Sequence, residues 1–462
     1  MTNDFQQGNL RTTSGRSLPL IRGNGKLGVL IALAVLLFVA RDGWSQVSTR
    51  LDVNDVSFLW PAPRTADEAN ALITIDETGP DGVAFWPKEA FQQVLATAPT
   101  VQIMTGLTNH IVLEESISTR AAWKIAGVRI DPSAPGTDES IALRFGSMPQ
   151  IRLIVQPVTI GDNGQVRVHD LAAHLVFSYG DQSAAPTPGA PRRGTPDKAK
   201  FKQVVDDLLT LKNHLEARGI RTGGPLTVHP GFQVPEFKDE LRTFLKKHLS
   251  ATRLQAIAFM GVEPPEPWIF FAMAKQNGAF VRVSDGQMLT FRGLAGGSVM
   301  PALPTSTFGP GNGVSTAALF GPTAQSRLDL AAINNASSSE LQALRNRDIP
   351  DIIANPRISN FFNTDCVSCH TESTRRKTLN TSSGRKTFKQ PDGISGVDDA
   401  LLPIDKWNVR NFGWFPPMTA TVTQRTANEA AESADFINRE YLGAGLALPR
   451  PTPSQQGLLQ GH

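Results

Sequence analysis

The sequence predicts a multidomain α+β protein with a β-rich N-terminal domain, an α+β middle domain and an all-α C-terminal domain. Three observations lead there. At 462 residues the chain has room for about three domains of ordinary size. Short segments that alternate apolar and polar residues fill its first part, and helical periodicity dominates its last. Two stretches rich in Pro, Gly and Ala, 183–200 and 293–326, read as a linker and a connector between the parts. With 40% apolar and 19% charged residues the composition is that of a globular protein, and 39 Gly and 33 Pro assign much of the chain to loops. A formal charge of +3 gives no electrostatic reason for a nucleic-acid partner.

Residues 1–45 read as a signal peptide. A polar leader with Arg11, Arg16, Arg22 and Lys26 runs into fourteen apolar residues, Leu27 to Ala40. That is the length of a secretory core, short of the roughly twenty residues a membrane span needs. Gly43 and Ser45 are small residues where a signal peptidase inspects the chain, so cleavage is expected near Ser45/Gln46 and the mature protein in the periplasm. Left uncleaved, the same run anchors the protein to the membrane, which is the one membrane role the sequence offers. No cysteine follows it, which excludes a lipoprotein anchor.

Residues 47–182 form the predicted β-rich domain. Strands are expected at 101–104, 110–113, 123–130 and 141–145, and a hairpin at 151–160 and 166–179 about the turn Gly161-Asp162-Asn163-Gly164. One helix, Pro87 to Ala96, interrupts them. His110, His169 and His174 fall inside strand patterns and read as cross-strand or surface residues.

Residues 201–292 form the predicted α+β domain. Apolar positions at 201, 204, 205, 208, 209, 211 and 215 mark an amphipathic helix, with Gly219 at its C-terminal cap. A second helix is expected over 236–249. Strands follow at 257–262 and 268–273, then a last pair, 280–283 and 287–291, joined by Ser284-Asp285-Gly286.

The third domain, 327–442, precedes a Pro-rich tail, 443–462, that reads as disordered. Ser337-Ser338-Ser339-Glu340 and Thr426-Ala427-Asn428-Glu429 have the capping-box form and open two predicted helices. Between them lies Cys366-Val367-Ser368-Cys369-His370, which holds the only two cysteines of the chain. On a helical turn residues three apart share a face, so two thiols can reach the two vinyl groups on one porphyrin edge while the adjacent imidazole turns onto the iron. The pattern reads as covalent attachment of one haem c. A thioredoxin-type redox pair and half a zinc site compete; the first has no need of the histidine, and the second wants two further ligands at metal-binding spacing.

A helix leading into C-x-x-C-H, a loop with Pro417-Met418 and a closing amphipathic helix after Thr426 together resemble the class I c-type cytochrome fold, over about residues 327 to 442. The resemblance implies an all-α cytochrome c-like haem domain with His370 as proximal and Met418 as distal iron ligand. Met418 is the only methionine after Met300 and follows two prolines. Pro350 and Pro356 depart from the pattern, because they break the expected entry helix. Trp407 and Arg410 stand close enough in sequence to offer an indole N–H and a guanidinium to haem propionates, although a core tryptophan and a solvated arginine read equally well.

Axial ligation separates the functions that remain. Closed by His and Met, a haem exchanges single electrons; with an open face it supports peroxidase- or oxidase-like chemistry or gas sensing. The sequence favours an electron-transfer protein over an enzyme, which would be an oxidoreductase. Arg375, Arg376, Lys377, Arg385, Lys386 and Lys389, with Glu372 the one acid between 371 and 390, offer a basic patch to an acidic redox partner protein.

Overall fold

A computed structural model describes residues 47–98, 113–133, 135–136, 139–144, 147–182, 194–260, 268–282, 288–290, 353–357, 370, 372–373, 396–403, 408, 410–416 and 419–444. Strand β1 (Ser57–Leu59) is followed by helices α1 (Ala66–Asn70) and α2 (Lys88–Thr97), then by β2 (Trp123–Asp131) and α3 (Glu139–Arg144). Next come β3 (Gln150–Ile160), β4 (Val166–Val168) and β5 (Ala172–Ser178). A small ladder of β6 (Gly180–Gln182) and β7 (Gly194–Pro196) leads into α4 (Lys198–Ala217) and α5 (Phe237–His248). Strands β8 (Leu254–Met260), β9 (Trp268–Gln276), β10 (Ala279–Arg282) and β11 (Met288–Thr290) follow, and the C-terminal part supplies β12 (Phe412–Phe415), β13 (Thr419–Val422) and α6 (Gln424–Glu440).

One nine-stranded antiparallel sheet dominates, in the order β1-β2-β3-β5-β8-β9-β10, with β4 also on β3 and β11 also on β9. Its strands come from both of the first two predicted domains, because β5 pairs with β8 from Ala172↔Met260 to Phe177↔Leu254. Alternation gives the sheet two faces. Ile151, Leu153 and Val155 of β3 and Leu175 and Phe177 of β5 are fully buried on the first, where Phe91 of α2 meets Trp123 edge-on and Phe237 of α5 stacks with Phe58. The second face carries Arg129 of β2, Arg152 and Gln156 of β3, and His174 of β5.

The expected all-α C-terminal domain is not what forms. Among the described residues this part has one α-helix of more than a single turn, α6, and a two-stranded hairpin, and both lie on the second face of the sheet. The reason is visible in β12. Gln156 donates through Nε2 to the Trp414 carbonyl at 2.8 Å and accepts the Trp414 N–H at 2.6 Å, so one side chain of β3 stands in for a strand partner. Gly127, at a bulge in β2, leaves room for Phe412; a Cβ there would lie 2.5 Å from the ring. The Trp414 indole N–H donates to the Trp60 carbonyl at 2.9 Å. A helical segment could not satisfy these groups, and the apolar face of α6 finds its partner in the sheet instead of in an entry helix.

Smaller differences have local causes. The segment 141–145, predicted as a strand, contributes to α3, since a short apolar run suits either state. β10 and β11 do not pair with each other; both lie on the outer edge of β9, at Gln276–Met273 and Phe270–Trp268. α6 starts three residues before the predicted cap: Thr423 is the N-cap, its hydroxyl accepting the Thr426 N–H at 3.3 Å. The helices at 88–97, 198–217 and 237–248 form as the periodicity predicts, and Gly219 closes α4 at φ +79°. No helix among the described residues is long and apolar enough to cross a membrane. The segments 1–46, 99–112, 183–193, 291–352 and 445–462 lie outside them, and with them the signal peptide, the predicted strands at 101–104 and 110–112, and most of the connector and tail.

Candidate functional site

His370 is buried, and the two residues that fix its turn are Glu372 and Ser373, both fully buried. They cap α6 from fifty residues away. The Gln424 N–H donates to Ser373 Oγ at 2.8 Å, the Arg425 N–H donates to Glu372 Oε1 at 3.0 Å, and the Ser373 hydroxyl donates to the same carboxylate. Together with Thr423 they satisfy three N–H groups that a helix start leaves without partners, and they set a negative charge where the helix dipole favours it. The histidine of the C-x-x-C-H pentapeptide is thereby tied to the last helix through its own downstream neighbours. The segment 353–357 is tied to the same helix: Arg425 donates to the Ile353 carbonyl at 2.7 Å, Asn428 donates to the Ala354 carbonyl at 2.6 Å, and Arg357 pairs with Glu432 at 2.5 Å.

Under α6 the sheet presents charge. Arg129 pairs with Glu429 at 2.9 Å and Asp131 at 3.2 Å, and Arg152 reaches Asp131 at 3.6 Å. Burial would raise the Glu429 carboxyl, but Arg129 and Arg425 hold it down at about 2. Arg410 is buried, and its guanidinium donates to Asp170 at 2.6 Å across 240 residues of sequence. It is therefore not a solvated arginine. The Nε–H groups of Arg129, Arg152 and Arg410 are all buried with no hydrogen-bond partner.

His174 stands on the same face, half-buried on β5 opposite Ile154. Burial first, and then the positive charges of Arg152, His370, Arg410 and Arg129, push its pKa well below the usual histidine value. His370, Arg152, Arg410 and Arg129 thus all lie within electrostatic reach of His174.

Of the residues singled out from the sequence, His370 and Arg410 fall in this neighbourhood. Cys366, Cys369, Trp407 and Met418 lie outside the described residues, as does the basic cluster 375–389. Phe415 and Thr419, which bracket Pro417-Met418, pair across the β12–β13 hairpin. Among the described residues no three His, Cys, Asp or Glu side chains gather as a metal site. Sequence reasoning missed Arg152, Asp170 and Ser373, read Glu372 only as the one acid of a basic stretch, and read His174 only as a cross-strand or surface residue. The one signal for Arg152 was its place in an alternating strand, on the face opposite the Ile151-Leu153-Val155 core. No family model matches the chain, and neither a curated protein nor a solved structure matches it.

Proposed function

We propose that this chain is an exported c-type cytochrome that carries single electrons on one covalently attached haem c. The observation that carries the reading is the pentapeptide Cys366 to His370, with the only two thiols of the chain and a histidine that is buried and clamped to α6. The donor set suits the group: two thiols for the vinyl carbons, an imidazole for iron, and buried guanidinium N–H groups still without partners for carboxylates. Bound there, haem supplies a one-electron iron couple.

The residues of the chain have separate tasks in this reading. Cys366 and Cys369 hold the macrocycle, and His370 is the proximal ligand. Met418, which lies between Phe415 and Thr419 in the sequence, is the distal ligand. Glu372 and Ser373 fix the direction from which the imidazole approaches. The lysines and arginines between 375 and 389 face an acidic redox partner protein, and the site of action is the periplasm.

Purified protein denatured in alkaline pyridine decides the first claim. A bis-thioether haemochrome that stays with the polypeptide is expected, and Cys366→Ser with Cys369→Ser should abolish it. Haem that extracts freely from the wild type into acidified organic solvent would remove the basis of the reading. If instead the reduced wild type binds carbon monoxide readily, the distal face is open and the protein is a periplasmic haem enzyme of peroxidase or oxidase type, or a haem-based sensor.

A further inference from the structure

A cavity of about 260 Å³ opens where the first turns of α4, the end of α5 and the turn at 250–253 meet. Helix α4 contributes Lys200 and Gln203 to its lining, α5 contributes Lys247, and the turn contributes Thr252 and Arg253. Its shape is fixed by the chain around it. A Cβ at Gly79 would lie 1.8 Å from the Leu249 carbonyl oxygen, so only glycine lets the segment 79–81 lie against the end of α5. From there Asp81 Oδ2 accepts the Ser250 hydroxyl at 2.7 Å and the Ala251 N–H at 2.8 Å, which holds the turn that carries Arg253. The buried Tyr179 donates its hydroxyl to the His248 carbonyl at 2.8 Å, and its ring, which also lines the cavity, supports the Arg253 guanidinium 4.3 Å from the ring centre.

The three cations of this lining do not have three partners. Lys200 pairs with Asp197 at 2.8 Å and Lys247 with Asp207 at 2.6 Å, a carboxylate that His248 Nε2 also meets at 2.6 Å. Both lysine side chains are more than half exposed, at 57% and 62%, so these pairs are weak and exchange easily. Asp81 does not line the cavity, and its carboxylate is engaged by Ser250, Ala251 and Val83. Arg253 is half-buried and makes no hydrogen bond or ion pair with a described residue. Its planar fork of N–H donors, held on the Tyr179 ring at the cavity wall, is thus left without a protein acceptor. We propose that this cavity binds an oxyanion of the phosphate class, with Arg253 as its principal donor and Lys200, Lys247, Thr252 and Gln203 around it. Donors from three separate elements suit a tetrahedral anion, whose oxygens point in several directions, whereas a planar carboxylate needs a single fork. The volume lies below the roughly 300–1,000 Å³ of pockets for larger ligands, which fits a free phosphate or the phosphate end of a small monoester. This site is independent of the haem reading.

The test is calorimetric titration of the full-length protein, as purified, with inorganic phosphate in a chloride buffer of constant ionic strength. One saturable site per chain is expected, with sulfate competing and acetate not. Arg253→Gln should weaken phosphate by about tenfold or more, the loss of a charge-assisted donor pair, and Arg253→Lys should fall between it and the wild type. Lys202→Gln removes the same charge from an exposed position on α4 that pairs with Asp206 outside the cavity, and should stay within about twofold of the wild type. Glycerol phosphate in place of inorganic phosphate separates the two sources: tighter binding identifies a monoester, and equal or weaker binding identifies the free ion. Absence of saturable binding by both, binding of acetate as tight as phosphate, or an effect of Arg253→Gln no larger than that of Lys202→Gln overturns the proposal. Should Arg253→Gln fail to fold, the exposed pair Lys200→Gln/Lys247→Gln decides: a loss of about fivefold is expected, and an unchanged affinity overturns the site.

Discussion

Asn438 and Leu51 form a closed pair: the Leu51 N–H donates to Asn438 Oδ1 at 2.7 Å, and Asn438 Nδ2 donates to the Leu51 carbonyl at 2.8 Å. The side-chain amide of α6 thus imitates a strand partner for the start of the described chain, 387 residues away, and both residues are buried. Neither end of the pair can be replaced by water. Asn438→Ala should therefore cost about 2–4 kcal/mol, the sum of one unsatisfied buried donor and one acceptor. Asn438→Asp should cost more, because it keeps the acceptor, loses the donor and buries a charge. Urea unfolding of both variants measures this, and a loss below about 0.5 kcal/mol for Asn438→Ala would mean that the pair is dispensable.

Lys212 provides a second buried test. Its ammonium lies 2.6 Å from Asp52 and 3.0 Å from Asp55, and its side chain is 2% exposed. Burial opposes the charge, but the two carboxylates keep the lysine protonated. Lys212→Met should destabilise by about 3–5 kcal/mol because it takes the ammonium from Asp55, whose carboxyl burial already raises to about 6, and Asp55→Asn in the same background should recover part of that loss. Additive effects of the two substitutions would show that they do not act as a pair.

Acid should weaken the fold through His229. Its ring stacks against both Phe58 and Phe237, Nδ1 accepts the Gly231 N–H at 3.0 Å, and burial pulls its pKa down to about 3. The folded state holds the ring neutral, while the unfolded chain protonates it near 6.5. Its contribution is thus fully present above that value and is lost as pH falls toward 3, by a few kcal/mol at most. Glu429 acts with the same sign at lower pH, present above its ordinary 4.5 and lost as pH falls through about 2. His229→Leu should be less stable at pH 7 but should lose less stability between pH 6.5 and 4.5. An unchanged pH slope in that variant would clear His229 of the role.

The clamp that Glu372 and Ser373 place on α6 can be opened without touching His370. Ser373→Ala removes the acceptor for the Gln424 N–H at the start of α6 and should cost about 1 kcal/mol, as lost helix caps do. Glu372→Gln keeps an acceptor for the Arg425 N–H but removes the charge, so it should cost less than Glu372→Ala. Thermal melts rank the three, and the reverse order would contradict the capping role.

For the distal side of the proposed haem, Met418→His should lower the reduction potential, because a thioether stabilises ferrous iron over ferric more than imidazole does. Met418→Ala should let the reduced protein take up carbon monoxide, which the wild type resists. Wild-type uptake, with no effect of Met418→Ala on spectrum or potential, would assign Met418 to packing. N-terminal sequencing of the mature protein should begin near Gln46, and a mature chain that still starts at Met1 would make Leu27 to Ala40 an anchor.

Local elements were legible in the sequence, and their assembly was not. The helix over 198–217 announces itself by an apolar stripe and a terminal glycine, and the turn at Gly161–Gly164 by residues that tolerate positive φ, with Gly164 at +77°. Nothing local marks the pairing of β5 with β8, since alternation specifies a face and not a neighbour. The Thr426 capping box had the right composition, yet Ser373 and Glu372 supply the better acceptors from outside the helix and Thr423 takes the cap. A sequence window cannot see a cap delivered in space. His370 was legible because the C-x-x-C-H pattern sets it directly after the only two cysteines of the chain. Arg152 and Asp170 were not, because their role depends on which side of a strand meets which distant segment.

The pairing of Leu51 with Asn438 also orders events in time. A chain that emerges N-terminus first, as the proposed export requires, can pair β1, β2, β3 and β5 early, but the second face of the sheet stays uncovered until α6 has been released and docked. Closing a loop of that length is slow, and folding that waits on it cannot proceed piece by piece behind the translocating chain. Residues 366 to 370 arrive before α6 does. On the proposed haem reading, the interval between the two is a window in which a bulky group can be joined to the thiols before α6 has docked.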